Sequence, residues 1–152
     1  DMMSNTNEML VEFDAVGENE GFARVVIAAF VSRVNPTLEE MSDIKVAVSE
    51  AVTNAIIHGY EGTTGRIRIF AMMNDWQLTV RVTDFGKGMA DIQQAMEPLF
   101  TTKPEEERSG MGFSFMEAFT DELNVESKPG EGTTVTMAKV MGVQNGPNNR
   151  VN

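Results

Sequence analysis

The fold is decided by the stretch Ser49-Glu50-Ala51-Val52-Thr53-Asn54-Ala55-Ile56-Ile57-His58-Gly59-Tyr60. It completes a predicted helix that Pro36-Thr37 opens, because Thr37 and Glu40 have the spacing of a capping box. Gly59 is predicted to end the helix in the left-handed conformation. Apolar residues recur at helical spacing and predict the buried face: Ile44, Ala47, Val48, Ala51, Val52 and Ala55.

A polar stripe runs beside that apolar face. Glu50, Asn54 and His58 are each four residues apart, so they lie one above another on the helix. A carboxylate and a carboxamide one turn apart, at the edge of an apolar face, can share one bound metal-nucleotide. Taken alone, the three residues favour an ordinary solvated helix edge, since short polar spacings recur by chance.

The bulk properties limit the possible functions. The chain has 152 residues, 41% hydrophobic and 23% charged, which fits one soluble domain with a real core. Its net charge of −11 argues against direct nucleic-acid binding and favours a basic protein partner, although an acidic, soluble surface explains it equally well. Without cysteine, and with His58 as the single histidine, a zinc site built on several His or Cys ligands is excluded. No apolar run could cross a membrane and no signal peptide is visible, so we expect no membrane association and a cytoplasmic location.

The order of elements predicts an α+β sandwich, with helices over one face of a mixed, mostly antiparallel sheet. One domain is expected over 7–141, and 142–152 is expected to be a disordered tail. The first predicted helix has Phe22, Val25, Val26, Ala29 and Phe30 facing inward. The predicted segments are a strand over 7–15, a helix over 20–34, a hairpin of strands 66–73 and 76–84, a short helix over 91–97, a polar loop over 99–109, a helix opening at Gly110, and strands 123–127 and 133–140.

Three glycine-rich segments accompany the polar stripe. Asp84-x-Gly86-x-Gly88 follows a strand directly, and glycines there let the backbone approach a ligand. Ser109-Gly110-Met111-Gly112 is predicted to open a helix, where free N–H groups bind anions. Gly130-x-Gly132-Thr133-Thr134 opens the last strand. Each segment alone is weak evidence for a binding site, but a chance occurrence of all of them in this order is improbable.

Together these motifs resemble the N box and three glycine boxes of the Bergerat-fold ATPases. Glu50-Ala-Val-Thr-Asn54-Ala-Ile-Ile-His58-Gly-Tyr60 is similar to the branch of serine kinases that double as anti-sigma factors. The segments Leu99-Phe100-Thr101-Thr102-Lys103-Pro104 and Glu107-Arg108-Ser109-Gly110-Met111-Gly112-Phe113 resemble the members of that branch that act in endospore formation. The resemblance extends from about Met9 to Val140, which is nearly the whole chain.

The resemblance implies a role for each matching residue. Glu50 would be the general base, Asn54 the Mg²⁺ ligand, and Asp84 the acceptor from the adenine amine. Lys103 to Gly112 would form a lid over the phosphates of ATP, with Lys103 and Arg108 contributing to catalysis. We interpret His58 as a structural, hydrogen-bonding residue at the pocket edge and not as a phosphoacceptor. The implied nucleotide-binding set is Asn54, His58, Asp84, Gly86, Gly88, Thr102, Lys103, Arg108, Ser109, Gly110, Met111, Gly112 and Thr133.

The implied function is an ATP- and Mg²⁺-dependent protein-serine kinase with two protein partners. It would phosphorylate an anti-anti-sigma protein and, with ATP bound, hold a sigma factor of the sigma-F type. Arg24 matches a first-helix arginine that contacts both partners, whereas by itself it reads as an ordinary exposed arginine. A homodimer is also implied, with the first strand and helix as its surface. The alternatives are a nucleotide-gated sigma-binding module with little catalysis, the general-stress relatives of the same branch, and, far behind, a histidine-kinase catalytic domain.

Overall fold

Five strands form one antiparallel sheet in the order β1-β2-β3-β5-β4. The computed structural model describes residues 6–96 and 104–143, and for 104–111 only the backbone. All four pairings among the described strands are antiparallel, so the parallel pairing of the expected mixed sheet does not occur there. The strands are β1 (Thr6–Asp14), β2 (Arg66–Asn74), β3 (Gln77–Asp84), β4 (Glu122–Lys128) and β5 (Gly132–Val140).

Helices cover one face of this sheet, which confirms the predicted two-layer α+β fold. Helix α2 lies in the middle, with α1 on one side and α4 on the other. The buried side chains of β2 and β3 alternate as predicted, and one face of the hairpin contributes these side chains to the core: Ile67, Ile69, Ala71, Leu78, Val80 and Val82. The helices are α1 (Asn19–Val31), followed by a 3₁₀ turn (Ser32–Val34), α2 (Leu38–Asn54), α3 (Ile92–Met96) and α4 (Pro104–Phe119).

Helix α2 begins with the predicted capping box. The Thr37 hydroxyl accepts from the Glu40 N–H at 3.0 Å, and the Glu40 carboxylate accepts from the Thr37 N–H at 2.9 Å. All six residues of its predicted apolar face are buried. The helical structure ends at Gly59 as predicted, but it does so in a π-helical turn (Ala55–Gly59), and the predicted left-handed conformation of Gly59 is wrong because its φ is not positive. The Tyr60 N–H bonds the Ala55 carbonyl, and the left-handed residues are Glu61 and Gly62.

Helix α1 is buried on a different face from the predicted one. Ala23, Ile27 and Val31 are fully buried, whereas Phe22 and Val25 are 49% and 66% exposed. Apolar residues occupy both stripes of this helix, so periodicity alone does not fix its rotation. Packing against α2 selects the stripe that spaces Ala23, Ile27 and Val31 four residues apart.

Helix α4 begins earlier than predicted. Residues 104–109 were expected in a loop, but the helix starts at Pro104 and continues through Gly110, Met111 and Gly112. Proline suits the first helical position, and the glutamates at 105–107 suit the positive end of the helix dipole. The remainder of the predicted loop, 99–103, lies outside the described residues, as do positions 144–152 of the predicted tail. Within the described parts of the chain, none of the helices has the length and apolar character to span a bilayer.

Candidate functional site

A pocket of about 320 Å³ lies between the end of α2 and strands β3 and β5. Its walls combine apolar side chains with a few polar groups, as in most small-molecule sites. Five predicted site residues line it: Asn54, His58, Asp84, Gly88 and Thr133. The other lining residues are Ala51, Ala55, Gly59, Val82, Lys87, Met89, Ala90, Ala95, Phe113 and Val135.

The Asn54 side chain is the least satisfied polar group in this pocket. Asn54 is only 7% exposed, and neither its Oδ1 nor its Nδ2 has a hydrogen-bond partner among the described residues. A buried amide without partners costs about 1–3 kcal/mol, so proteins usually pair such groups. The position on α2, whose neighbouring Ala51 and Ala55 are buried, holds the amide against the pocket. Asn54 is therefore prepared for a ligand that supplies the missing contacts.

Asp84 forms the polar floor at the opposite end. It ends β3, is 5% exposed, and its Oδ1 accepts from the Gly86 N–H at 2.9 Å. Burial raises the pKa of its carboxyl, while backbone hydrogen bonds from Gly86 and Thr133 act in the opposite direction without cancelling the effect of burial. A buried carboxylate lining a pocket is a strong acceptor for a ligand amine.

Two glycines let the end of α2 approach the end of β3. A Cβ at Gly86 would lie 1.9 Å from the Gly59 carbonyl oxygen, and a Cβ at Gly59 would lie 2.8 Å from the Asp84 carboxylate. The contact is closed by the Lys87 N–H, which donates to the Gly59 carbonyl at 2.9 Å. Gly86 itself therefore shapes the pocket from behind, while Gly88, with φ +71°, lines it.

A network of hydroxyl groups stands beside Asp84 on the sheet. Asp84, Thr133 and Ser127 are register partners across β3, β5 and β4. The Ser127 Oγ lies 2.7 Å from the Thr133 Oγ1, donates to the Gly132 carbonyl at 3.0 Å, and accepts from the Met89 N–H at 2.7 Å. The network ties the loop after β3 to the strand that carries Thr133.

Glu50 lies next to helix α4 and not in the lining of the pocket. A Cβ at Gly112 would be 2.8 Å from the Glu50 Oε2 and 3.8 Å from the Asn54 Oδ1. Gly112 therefore brings the backbone of α4 against both polar residues of α2. The structure unites Glu50, Asn54 and Gly112 at one end of the site.

The remaining predicted residues fall into three groups. Arg24 lies outside the pocket on α1, 46% exposed, with its Nη1 3.1 Å from the Glu20 carboxylate, which also accepts from the Ser49 hydroxyl on α2. Arg108, Ser109, Gly110 and Met111 lie in α4, where only their backbone is described. Thr102 and Lys103 lie outside the described residues.

Several residues at the site were not predicted from the sequence. Phe113 follows a glycine segment and Lys87 lies inside another, so both could have been suspected from position. Tyr60 supports the floor, since its hydroxyl accepts from the Phe85 N–H at 2.7 Å and donates to the Arg66 carbonyl. Ser127 could not be predicted from the sequence, because only the pairing of β4 with β5 brings it beside Thr133.

A family model described as a histidine kinase-like ATPase domain matches residues 15–139. An anti-sigma F factor of Thermoanaerobacter sp. (strain X514) is 56% identical over 140 residues, covering 92% of this chain and 98% of that relative. The chain belongs to the histidine kinase-like ATPase domain family, among the anti-sigma F factors. Other anti-sigma F factors agree: that of Clostridium acetobutylicum is 55% identical (88% of this chain, 93% of the relative), and that of Anoxybacillus flavithermus 53% (88% and 92%).

A solved structure supports the fold. The crystal structure of the RsbU and RsbW domains of a Mycobacterium tuberculosis protein matches with a TM-score of 0.65 at 22% identity. The match covers 89% of this chain and 32% of the longer chain in that structure. At this identity the comparison bears on architecture alone.

Family membership implies a nucleotide in the pocket, and the residues present fit one. Asp84 and the apolar walls suit a purine base, and the unpartnered Asn54 amide faces the same cavity. Mg²⁺ often takes only one or two protein oxygens and otherwise binds water and phosphate oxygens, which a single carboxamide satisfies. No group of three or more His, Cys, Asp or Glu side chains among the described residues could hold a metal by itself.

Proposed function

We propose that this protein is an ATP-dependent protein-serine kinase and anti-sigma factor. It phosphorylates a serine of a small anti-anti-sigma protein and, with ATP bound, sequesters a sigma factor of the sigma-F type in the cytoplasm. The observation that carries the proposal is the buried, unpartnered Asn54 amide, one helical turn from Glu50, in a pocket whose far end is Asp84. Support for the sigma-factor partner comes from the names of the relatives, and the anti-anti-sigma substrate rests on the family resemblance.

The adenine ring lies at the Asp84 end. The Asp84 carboxylate accepts from the exocyclic amine, and Thr133 lies beside it on the next strand. Val82, Val135 and Met89 supply apolar contact for the ring faces. This places the triphosphate toward Asn54 and α4.

The phosphate end contains the groups for phosphoryl transfer. Asn54 Oδ1 would hold Mg²⁺, which would supply positive charge against the negative charge of the phosphates. Lys103 and Arg108 supply further positive charge. The Gly110 to Gly112 amides lie inside α4, where helix N–H groups bond to carbonyls four residues earlier, so we assign no phosphate contact to these amides.

Glu50 acts as the proton acceptor in the transfer. The serine hydroxyl oxygen of the substrate forms a bond to the γ-phosphorus, the bond from that phosphorus to the ADP oxygen breaks, and the hydroxyl proton passes to the Glu50 carboxylate. Its position against Gly112 keeps Glu50 at the border between pocket and α4. There a substrate hydroxyl can reach it from outside.

The partner surface is proposed on α1 and β1. Arg24 is half-exposed, and the adjacent Val25 on α1 is an apolar side chain that is 66% exposed. Exposed apolar residues beside an arginine are typical of binding surfaces. Strand β1 is also an edge strand, which suits a homodimer contact.

Transfer to a purified anti-anti-sigma protein tests this proposal. With Mg-ATP, mass spectrometry should detect phosphoserine on the partner. Glu50→Ala should lose transfer by about 100-fold or more while retaining ATP binding. Asn54→Leu should lose Mg²⁺-dependent ATP binding, yet its nucleotide-free form should be as stable as the parent or about 1 kcal/mol more stable, because a buried unpaired amide is removed. Glu39→Ala, an exposed acid in the first turn of the same helix, is the matched control.

A nucleotide-gated binding module with little catalysis is the second candidate. It is favoured by one observation, that the glycines expected to bind phosphates lie within a continuous helix α4. Clear ATP binding without transfer to any antagonist would select this candidate. Absence of ATP binding would refute both.

A further inference from the structure

We propose that Ser127 makes the pocket selective for a purine that carries a 6-amino group, by fixing the direction of the Thr133 hydroxyl. The proposal rests on the nucleotide-binding function above and adds to it a determinant of base choice. Ser127 is half-buried on β4, and it is Thr133, on the neighbouring strand, that lines the pocket.

The Ser127 hydroxyl has one proton and three polar neighbours, and only one arrangement satisfies all three contacts together. Its Oγ donates to the Gly132 carbonyl at 3.0 Å, while the Met89 N–H donates to it at 2.7 Å. The third contact, with the Thr133 Oγ1 at 2.7 Å, can then be made only if Thr133 is the donor. Thr133 therefore turns its proton toward Ser127 and away from the pocket.

The consequence is a pocket floor made of acceptors. With its proton engaged, the Thr133 oxygen offers lone pairs to a ligand, next to the Asp84 carboxylate that shares its strand register. Adenine presents an N–H donor at its 6-position, whereas guanine and hypoxanthine present an oxygen acceptor there. Two adjacent acceptors favour the amine and leave a 6-oxo purine facing unfavourable lone pairs.

Without the Ser127 hydroxyl, the preference should weaken. The Thr133 hydroxyl could then rotate and donate to a 6-oxo group. One neutral hydrogen bond of this kind corresponds to about a three- to tenfold change in affinity. The ratio of affinities, rather than affinity itself, is the informative quantity, because Ser127 also holds the Met89 N–H and its loss can weaken every nucleotide equally.

The strand offers a matched control. Thr134, the next residue of β5, points to the opposite face and pairs its hydroxyl with that of Thr83 at 3.1 Å. Thr134→Ala therefore removes a similar hydroxyl pair one residue away, outside the pocket. Ser127→Thr keeps the hydroxyl and serves as the rescue variant.

The experiment measures Kd for ATP and inosine triphosphate by calorimetry on the full chain, with thermal unfolding as the test of folding. Ser127→Ala should reduce the preference for ATP by about three- to tenfold, whereas Thr134→Ala and Ser127→Thr should leave it unchanged. Thr133→Val should reduce the preference similarly, and adding Ser127→Ala to it should cause no further change.

Two outcomes would contradict this role of Ser127, and a third would contradict the proposed nucleotide-binding function. An unchanged ratio in Ser127→Ala, including equal weakening of both nucleotides, would show that Ser127 only supports the loop. If Ser127→Ala does not fold, an unchanged ratio in Thr133→Val overturns the proposal. If the parent protein binds neither nucleotide, the proposed function itself fails.

Discussion

The pocket has a proposed base end, at Asp84, and a proposed phosphate end, at Glu50 and Gly112, and the two are built differently. At the base end, backbone touches backbone: the position of a Gly86 Cβ is 1.9 Å from the carbonyl oxygen of Gly59. At the phosphate end, helix α4 approaches side chains, and the nearest atom to a Gly112 Cβ is the tip of the Glu50 carboxylate, 2.8 Å away. Backbone contacts cannot yield without moving whole elements, whereas a glutamate can change rotamer. The base end is therefore fixed by the fold, and the phosphate end can adjust to its ligand.

The largest effect is expected at the base end. Gly86→Ala forces the end of α2 away from β3 and should lower the free energy of unfolding by about 3 kcal/mol, with loss of ATP binding. Denaturant unfolding and calorimetry measure the two quantities. Gly17→Ala is the control, since nothing lies within 4 Å of a Cβ at Gly17. Equal stability of the two variants would disprove the rigid contact.

A smaller change in stability is expected at the phosphate end. Gly112→Ala gains about 0.5–1 kcal/mol of helix propensity, which offsets the displacement of Glu50. We expect near-normal unfolding and ATP affinity but about tenfold slower phosphoryl transfer, because the proton acceptor is misplaced. Single-turnover transfer assays beside calorimetry separate the two effects. If Gly112→Ala lowered the free energy of unfolding as much as Gly86→Ala does, both ends of the pocket would be equally rigid.

The smallest effect is a pH dependence at Asp84. Because burial raises its pKa above the usual value of 3.8, Asp84 contributes stability that is fully present below 3.8 and is lost as pH rises through the folded value. Asp84→Asn should therefore gain stability relative to the parent as pH increases through that window. Adenine binding runs the other way: it needs the carboxylate, so parent affinity should fall on acidification more steeply than that of Asp84→Asn.

Unfolding titrations and calorimetry at several pH values check both signs. Other carboxyl groups and the base itself titrate in both proteins, so the difference between them isolates Asp84. Parallel pH curves for the two proteins would show that this carboxyl is not the ligand acceptor.

Short-range patterns along the chain were sufficient to predict the local features of α2 and the hairpin. The capping box of Thr37 and Glu40, the apolar face of α2 and the alternation of β2 and β3 follow from short-range periodicity, and the structure confirms each. The same patterns, read as a family resemblance, indicated five of the residues that line the pocket. Local spacing carries such information because neighbouring side chains on one element share a face whatever surrounds them.

Other features depend on contacts between elements and could be seen only in the folded chain. It set the rotation of α1, where apolar residues on both stripes leave Phe22 and Val25 exposed, and the continuation of α2 as a π-helical turn past Asn54. It also placed Ser127 beside Thr133, through a strand pairing that spacing along the chain does not reveal. When both faces of a helix are apolar, or when a strand can pair with several others, the partner element determines which packing has the lowest free energy. The segment's own sequence does not.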